Sequence, residues 1–231
     1  MRIFALSDLH LAISADKPMD IFGSSWENYI PKLKENWKNT ITNDDLVLIA
    51  GDLSWAMKIE EFEKDLEFFN DLPGFKLFIK GNHDLWWKSV SAVRNLLPKN
   101  MFCLQYDSVR FDEGFVICGT RGWDLPNDEF TEHDHYMYNK EILRLEMALS
   151  NAKSKMQEGD KLIVMMHYPP YSKTNKNNPF LDLINSYNVD AVVFGHIHTE
   201  FVLPIKEKIE NTDFYLTSCD ILKNMPIEIK L

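Results

Sequence analysis

Five short polar segments, Asp8-Leu9-His10, Gly51-Asp52, Gly81-Asn82-His83-Asp84, His167 and Gly195-His196-Ile197-His198, each stand directly after an apolar run. The runs at 1–6, 46–50, 75–79, 162–166 and 191–194, with a further one at 115–118, are short and rich in β-branched residues. That pattern suits strands buried on both faces. Between them the apolar period changes to three or four residues: Ile59, Phe62, Leu66 and Phe69; Val90, Val93 and Leu97; Ile142, Leu145, Leu149 and Met156. Each of these sets predicts an amphipathic helix. Trp26, Ile30, Leu33, Trp37 and Ile41 form another set, with Pro31 marking either a kink or the first turn. Strands alternating with helices predict an α/β fold, and in such folds residues just beyond the carboxyl ends of the strands converge.

After His198 the helical periods stop, and the stretches 201–205, 214–217 and 227–231 read as antiparallel strands, so the sheet content should be mixed. No linker, repeat or low-complexity tract divides the 231 residues, which predicts one domain over 1–231. The segments 12–25 and 120–135 have no clear period and read as long, functional loops. No apolar run approaches the roughly 18 residues of a membrane span. The first apolar run, cut at Ser7 and Asp8, is too short for a secretory signal. Cys103, Cys118 and Cys219 are unclustered and sit in apolar surroundings, so they read as buried thiols of a cytoplasmic protein. With a net charge of −10 and only five scattered arginines, the chain lacks the footprint of a broad nucleic-acid binder.

The five polar segments carry the chemistry. Asp8 and His10 flank one residue and can face a common point, and Asp52 follows a glycine that tolerates unusual backbone angles. Asn82 offers a neutral oxygen, His167 comes straight off a strand, and His196 and His198 straddle Ile197 so that their imidazoles can serve different ions. Taken singly, each segment has an ordinary reading as a turn or a core histidine. Five of the seven histidines nevertheless fall at strand ends together with Asp8, Asp52 and Asn82. Seven ligands of this kind suffice for two metal ions if one carboxylate bridges.

In this order the blocks Asp-x-His, Gly-Asp, Gly-Asn-His-Asp/Glu, His and Gly-His-x-His resemble the signature of the calcineurin-like metallophosphoesterase superfamily. The resemblance runs from Asp8 to His198 and implies a four-layer αββα sandwich with two mixed β-sheets. It further implies that Asp8, His10 and His198 bind one metal, that Asn82, His167 and His196 bind the other, and that Asp52 bridges them, with His83 catalytic. Such a site would cleave a phosphomonoester or phosphodiester by in-line attack of a metal-bridging hydroxide. Imidazole and oxygen ligands suit transition metals, manganese or iron first and zinc also. Asp84 would either orient His83 or cap the next helix.

The protein Ser/Thr phosphatases of this superfamily resemble Gly-Asp-x-Val-Asp-Arg-Gly at the second block, whereas Gly51-Asp52-Leu53-Ser54-Trp55-Ala56-Met57 lacks the second Asp and the Arg. Protein phosphatase activity is therefore not expected, and Arg121 is the candidate replacement for gripping the phosphate. Trp55, Trp86, Trp87, Trp123 and Tyr168 flank the blocks and would either wall a substrate pocket or fill the core. His133 and His135, in the acidic stretch 128–135, are read as part of a solvated loop and not as ligands. The expected substrate is a small-molecule or nucleotide phosphoester. The rivals are a nuclease of the superfamily and a non-catalytic interaction scaffold on the same fold.

Overall fold

The protein is described here from a computed structural model covering residues 1–13, 15, 17–199 and 202–231. The apolar runs form two sheets. In the first, β1 (Ile3–Ala5), β2 (Leu46–Ile49), β3 (Phe75–Phe78) and β4 (Met101–Cys103) are parallel, and a short β11 (Ile227–Glu228) adds antiparallel to β1. In the second, β6 (Phe115–Thr120), β7 (Lys161–Met166), β8 (Ala191–Phe194) and β10 (Thr212–Leu216) are parallel. Antiparallel β5 (Ser108–Phe111) and β9 (Lys206–Ile209) close its two edges.

Side-chain alternation along each strand sorts the core into three slabs. Leu46 and Leu48 of β2 point to the other sheet and meet Ile163 and Met165 of β7, while Val47 and Ile49 face outward. Those outward residues are covered by α1 (Tyr29–Thr40), α2 (Ile59–Asp65) and α3 (Val90–Leu96), through Leu33, Trp37, Phe62 and Val93. On the far side, Leu162 and Val164 are covered by α4 (Glu132–Lys155) and α5 (Pro179–Ser186), through Leu145, Leu149, Phe180 and Ile184. The result is two mixed sheets face to face with helices outside, the αββα sandwich. Because both faces of the central strands are covered, they can be uniformly apolar, and each buried Leu or Ile contributes ~1.5–3 kcal/mol.

Pro31 falls in the first turn of α1, where its missing N–H interrupts no helical bond. The periodic set from Ile59 continues past α2 into a 3-10 turn, Leu66–Phe69. The long segment 120–135 is shorter than expected, because α4 begins at Glu132. Thr131 and Asp134 form a reciprocal cap there, Thr131 Oγ1 accepting from the Asp134 N–H at 3.2 Å and Asp134 Oδ2 from the Thr131 N–H at 3.0 Å. His133 and His135 consequently sit in the first turn of a helix.

The chain after His198 departs from expectation in two ways. Phe201 lies outside the described residues, and the strand expected at 201–205 is found instead at Lys206–Ile209. The strand β10 pairs parallel with β8 and antiparallel only with β9, so it extends the parallel sheet. Short elements β4, β5 and α5 were not anticipated, since three to eight residues carry too little periodicity. All three cysteines are buried free thiols, and no helix among the described residues is long and apolar enough to cross a membrane.

The start of the first sheet is pinned by Asp45. Its Oδ1 accepts from the Arg2 N–H at 3.2 Å and Nε at 3.1 Å, and its Oδ2 accepts from Arg2 Nη2 at 2.7 Å and from the Thr42 N–H and hydroxyl at 2.8 Å each. Burial pushes this carboxyl up, but the Arg2 and Thr42 donors outweigh it and hold it well below the ordinary carboxylate range. A depressed folded-state pKa contributes stability that is complete above about pH 4 and is lost as pH falls through the folded value. Asp45→Asn is therefore expected to lower unfolding stability by about 1–3 kcal/mol at pH 7, and by progressively less below pH ~4. Urea denaturation of both proteins at a series of pH values checks this.

Candidate metal centre

At their carboxyl ends the two sheets are stitched together. The Ser7 N–H donates to the Thr217 carbonyl at 2.7 Å, and the hydroxyls of the two residues lie 2.7 Å apart. Loops from β1, β2 and β3 of one sheet and from β7 and β8 of the other thereby meet in one place, and all seven predicted ligand residues lie in them.

They sort into two groups. His10 Nε2 lies 3.3 Å from His198 Nε2, and His198 Nε2 lies 3.9 Å from Asp8 Oδ1. On the other side, His167 Nε2 lies 2.6 Å from Asn82 Oδ1, and His196 Nδ1 lies 3.0 Å from that oxygen and 3.3 Å from His167 Nε2. Asp52 sits between the groups: its Oδ2 is 3.7 Å from His10 Nε2 and 3.5 Å from His167 Nε2. That oxygen is buried without a hydrogen-bond partner, as is His10 Nδ1. Asp8 Oδ1 also approaches His167 Nδ1, at 3.7 Å, so Asp8 lies near both groups.

The donor set fits cations. His167 Nδ1 faces the Ala50 carbonyl at 2.9 Å, which fixes the proton on Nδ1 and leaves Nε2 as a lone pair. Burial pushes this imidazole down to about 3, so it is neutral near pH 7. Its lone pair then points at another acceptor, Asn82 Oδ1, 2.6 Å away, and a cation shared by the two reconciles them. Burial likewise pushes His196 down to about 3 and lowers His10, while it raises the carboxyls of Asp8 and Asp52. Neutral imidazoles and buried carboxylates short of counter-charge are the state that a multivalent cation stabilises.

The backbone is shaped for this convergence. Asp8, His10, Asp52 and His196 all adopt positive φ, at 57°, 43°, 53° and 70°. Side chains other than Gly rarely sit there, at a cost of roughly 1–2 kcal/mol each. Two glycines make room for the carboxylates. A Cβ on Gly81 would stand 2.0 Å from Asp52 Oδ1, and one on Gly195 would stand 2.2 Å from Asp8 Oδ2. Asp8 is held by the His196 N–H, 3.0 Å from each of its oxygens, and Asp52 Oδ1 accepts the His83 N–H at 2.8 Å.

Asp84 does neither of the things expected of it. The next helix, α3, is capped by Ser89, whose Oγ accepts the Ala92 N–H. Instead the buried Asp84 carboxylate accepts from the N–H groups of Asp52 (2.9 Å), Leu53 (2.9 Å), Ser54 (3.3 Å) and Gly81 (2.8 Å), and from the Trp86 indole (3.1 Å). It fastens the loop after β2 to the loop after β3.

Sequence reasoning missed several participants. Asp220 Oδ1 lies 3.0 Å from His198 Nδ1 and orients that ring; burial lowers His198, but Asp220 and the nearby carboxylates outweigh it and raise it. The available signal was an acidic residue three positions after the apolar run ending at Thr217. Tyr29 donates its hydroxyl to the His10 carbonyl at 2.7 Å. Met19, Phe22 and Trp26 join Trp55, His10, His83 and His198 around a cavity of about 270 Å³ that opens onto the His10 group.

Of the aromatic residues singled out, Trp55 stacks on His10 with ring centroids 4.9 Å apart and faces His83 at 4.3 Å. Tyr168 lies 4.2 Å from His196, with Trp123 behind it at 5.6 Å. Trp86 and Trp87 are core residues. His83 is half-buried beside His10, 5.5 Å between centroids. The Arg121 guanidinium lies 4.7 Å from the Trp123 ring centre, and its Nε is buried without a partner. His133 and His135 contact Trp123 and Phe130 respectively.

The calcineurin-like phosphoesterase family model matches residues 1–200. A 3′,5′-cyclic-nucleotide phosphodiesterase of the cyanobacterium Nostoc sp., alr5338, is 23% identical over 211 residues, which is 87% of this chain and 73% of that protein. Among solved structures, a protein of unknown function from Aquifex aeolicus, AQ665, superposes with a TM-score of 0.54 at 15% identity, over 98% of this chain and 95% of its own. GAP50, the anchor in the inner membrane complex of Plasmodium, gives 0.55 at 13% identity, over 95% and 72%. These two likenesses concern the fold. With its family model spanning the strands that carry all five polar blocks, this chain belongs to the calcineurin-like phosphoesterases, and it is a metal-dependent phosphoric ester hydrolase.

Proposed function

We propose that residues 1–231 act as one domain that hydrolyses a small-molecule or nucleotide phosphoester at a two-metal centre, with Asp8, His10 and His198 holding one ion and Asn82, His167 and His196 the other. Asp52 bridges the two. The observation that carries this reading is the unpartnered Asp52 Oδ2, set between the two imidazole groups at 3.7 and 3.5 Å. When bound, the ions act as Lewis acids, drawing charge from the phosphoryl oxygens and acidifying water enough to serve as nucleophile near neutral pH, in line with the departing oxygen. Manganese or iron suits the mixed imidazole and oxygen set.

The remaining steps belong to the chain. His83, with its N–H fixed by Asp52, presents its imidazole on the aromatic cavity and protonates the leaving oxygen there; the phosphate's negative charge favours the imidazolium it needs. Arg121 grips a non-bridging phosphoryl oxygen through the guanidinium that no carboxylate engages among the described residues. The cavity walled by Trp26, Trp55 and Phe22 takes the leaving group and excludes water around it. Aromatic walls of this kind stack on a base or aryl ring. The phosphodiesterase name of the Nostoc relative supports nucleotide diesters within this class.

Aryl phosphate and bis-aryl phosphodiester hydrolysis, measured after chelation and reloading with manganese, iron or zinc, tests the reading. Activity should vanish on chelation and return with metal; a protein inert under every loading would favour the non-catalytic scaffold. Asp52→Asn is expected to lower kcat/KM about a thousandfold or more while circular dichroism stays native, and elemental analysis should show fewer tightly held ions. Near-normal turnover in that variant would refute the bridge. His83→Ala should cost about 10²–10⁴-fold in kcat with metal content unchanged, and the loss should shrink for substrates whose leaving group needs no proton.

A further inference from the structure

A second cavity, of about 230 Å³, shares no lining residue with the aromatic one. Lys80, Arg121, Lys140 and Arg144 line it, with Glu141 as its one acid. The charge of Glu141 is already committed. Its Oε1 pairs with Arg144 Nη1 at 2.5 Å, and its Oε2 accepts from the Thr120 hydroxyl at 2.5 Å and the Gly122 N–H at 3.1 Å. Lys80, Arg121 and Lys140 have no carboxylate partner among the described residues. The cavity therefore presents an excess of positive charge on a chain whose net charge is −10, although Lys80 also donates to the Trp87 carbonyl at 3.4 Å and lies in the field of Asp84.

The geometry is that of a prepared anion site. Aromatic faces hold the guanidinium groups in place, Arg121 over Trp123 and Arg144 over Tyr106, each 4.7 Å from the ring centre. Glu141, fully buried on α4, anchors Arg144 from below. Two lining residues are also built into the metal centre's own loops. Lys80 immediately precedes Gly81-Asn82, and the Arg121 carbonyl accepts the N–H groups of His167 at 3.0 Å and Tyr168 at 2.9 Å. The cavity and the centre thus share loops, so an anion here can belong to a molecule that also occupies the centre.

We propose that this cavity binds a second phosphate group of the substrate, so that the substrate class is a phosphoester bearing a further phosphate, such as a nucleoside bisphosphate. The charge decides between candidate anions: a phosphate dianion matches the cationic excess left by Lys80, Lys140 and Arg144 better than a carboxylate with its single charge, with Arg121 shared between this phosphate and the one at the centre. The assignment of the anion to a substrate rests on the phosphoesterase reading above; the anion site itself does not.

Two measurements separate them. Titration calorimetry of inorganic phosphate into chelator-treated protein is expected to show one saturable site, in about the millimolar range or tighter. Lys140→Ala should weaken it about tenfold, and Lys140→Arg should restore it. In metal-loaded protein, kcat/KM for adenosine bisphosphate should exceed that for adenosine monophosphate about tenfold, and Lys140→Ala should erase the preference. Absent phosphate binding, or binding and preference indifferent to Lys140 in a protein shown to be folded, would overturn the proposal. Lys140-dependent phosphate binding in a protein that hydrolyses no phosphoester under any metal would uphold the anion site and refute the phosphoesterase reading.

Discussion

Five N–H groups converge on one buried carboxylate, that of Asp84, and the arrangement of the metal centre depends on this. The donors come from two loops, 52–54 and 81–86, that follow adjacent parallel strands. Burial and the nearby charge of Asp52 push the Asp84 carboxyl up to about 7, and its N–H partners pull the other way. Hydrogen bonds to a charged group are worth roughly 1.5–3 kcal/mol each, so the cluster is strong enough to hold unfavourable backbone conformations nearby. Asp52 has positive φ between two of those bonds, and its carboxylate is presented to both imidazole groups as a result.

The same logic extends to the other sheet. His196 has positive φ because its N–H turns back onto Asp8, and Gly195 clears the space for that approach. His167 is set by the Ala50 carbonyl and His198 by Asp220. Of the imidazoles contributed by the second sheet, His167 and His198 are thus aimed by groups outside the set of seven, from the first sheet and from the segment after β10, while His196 is set by Asp8 of the first sheet. Precision at the centre comes from contacts across the two sheets, and four of its seven residues hold positive φ, whereas none of the described strand residues does.

Much of this was legible in the chain. Apolar runs ending in Asp, Asn and His place polar groups at strand ends, and the parallel α/β arrangement that gathers strand ends follows from the helices between them. The role of Asp84 was not legible, because three of its five partners are backbone groups about thirty positions away and carry no residue signature. Asp220 escaped for a related reason: it follows a strand taken to be antiparallel, whereas β10 runs parallel to β8 and delivers its carboxyl end to the same edge. The aromatic cavity was half visible, with Trp55 beside a polar block but Met19 and Phe22 in a stretch with no period, and Trp26 read as the start of a helix when it lies in a 3-10 turn before it. Trp86 and Trp87, equally close in sequence to a block, point into the core instead, since helical turns and strand ends direct neighbours to opposite sides.

The short 3-10 turns carrying Met19, Phe22 and Trp26 contribute walls to the aromatic cavity but none of the seven convergent polar side chains. Phe22 is largely exposed and rests on no strand. On the proposed function, selectivity and bond-breaking chemistry are therefore encoded in separate stretches of the polypeptide. Drift in one surface segment can exchange the kind of molecule admitted while the inherited chemical apparatus stays intact, so diversification of such a scaffold does not require rebuilding its reactive heart.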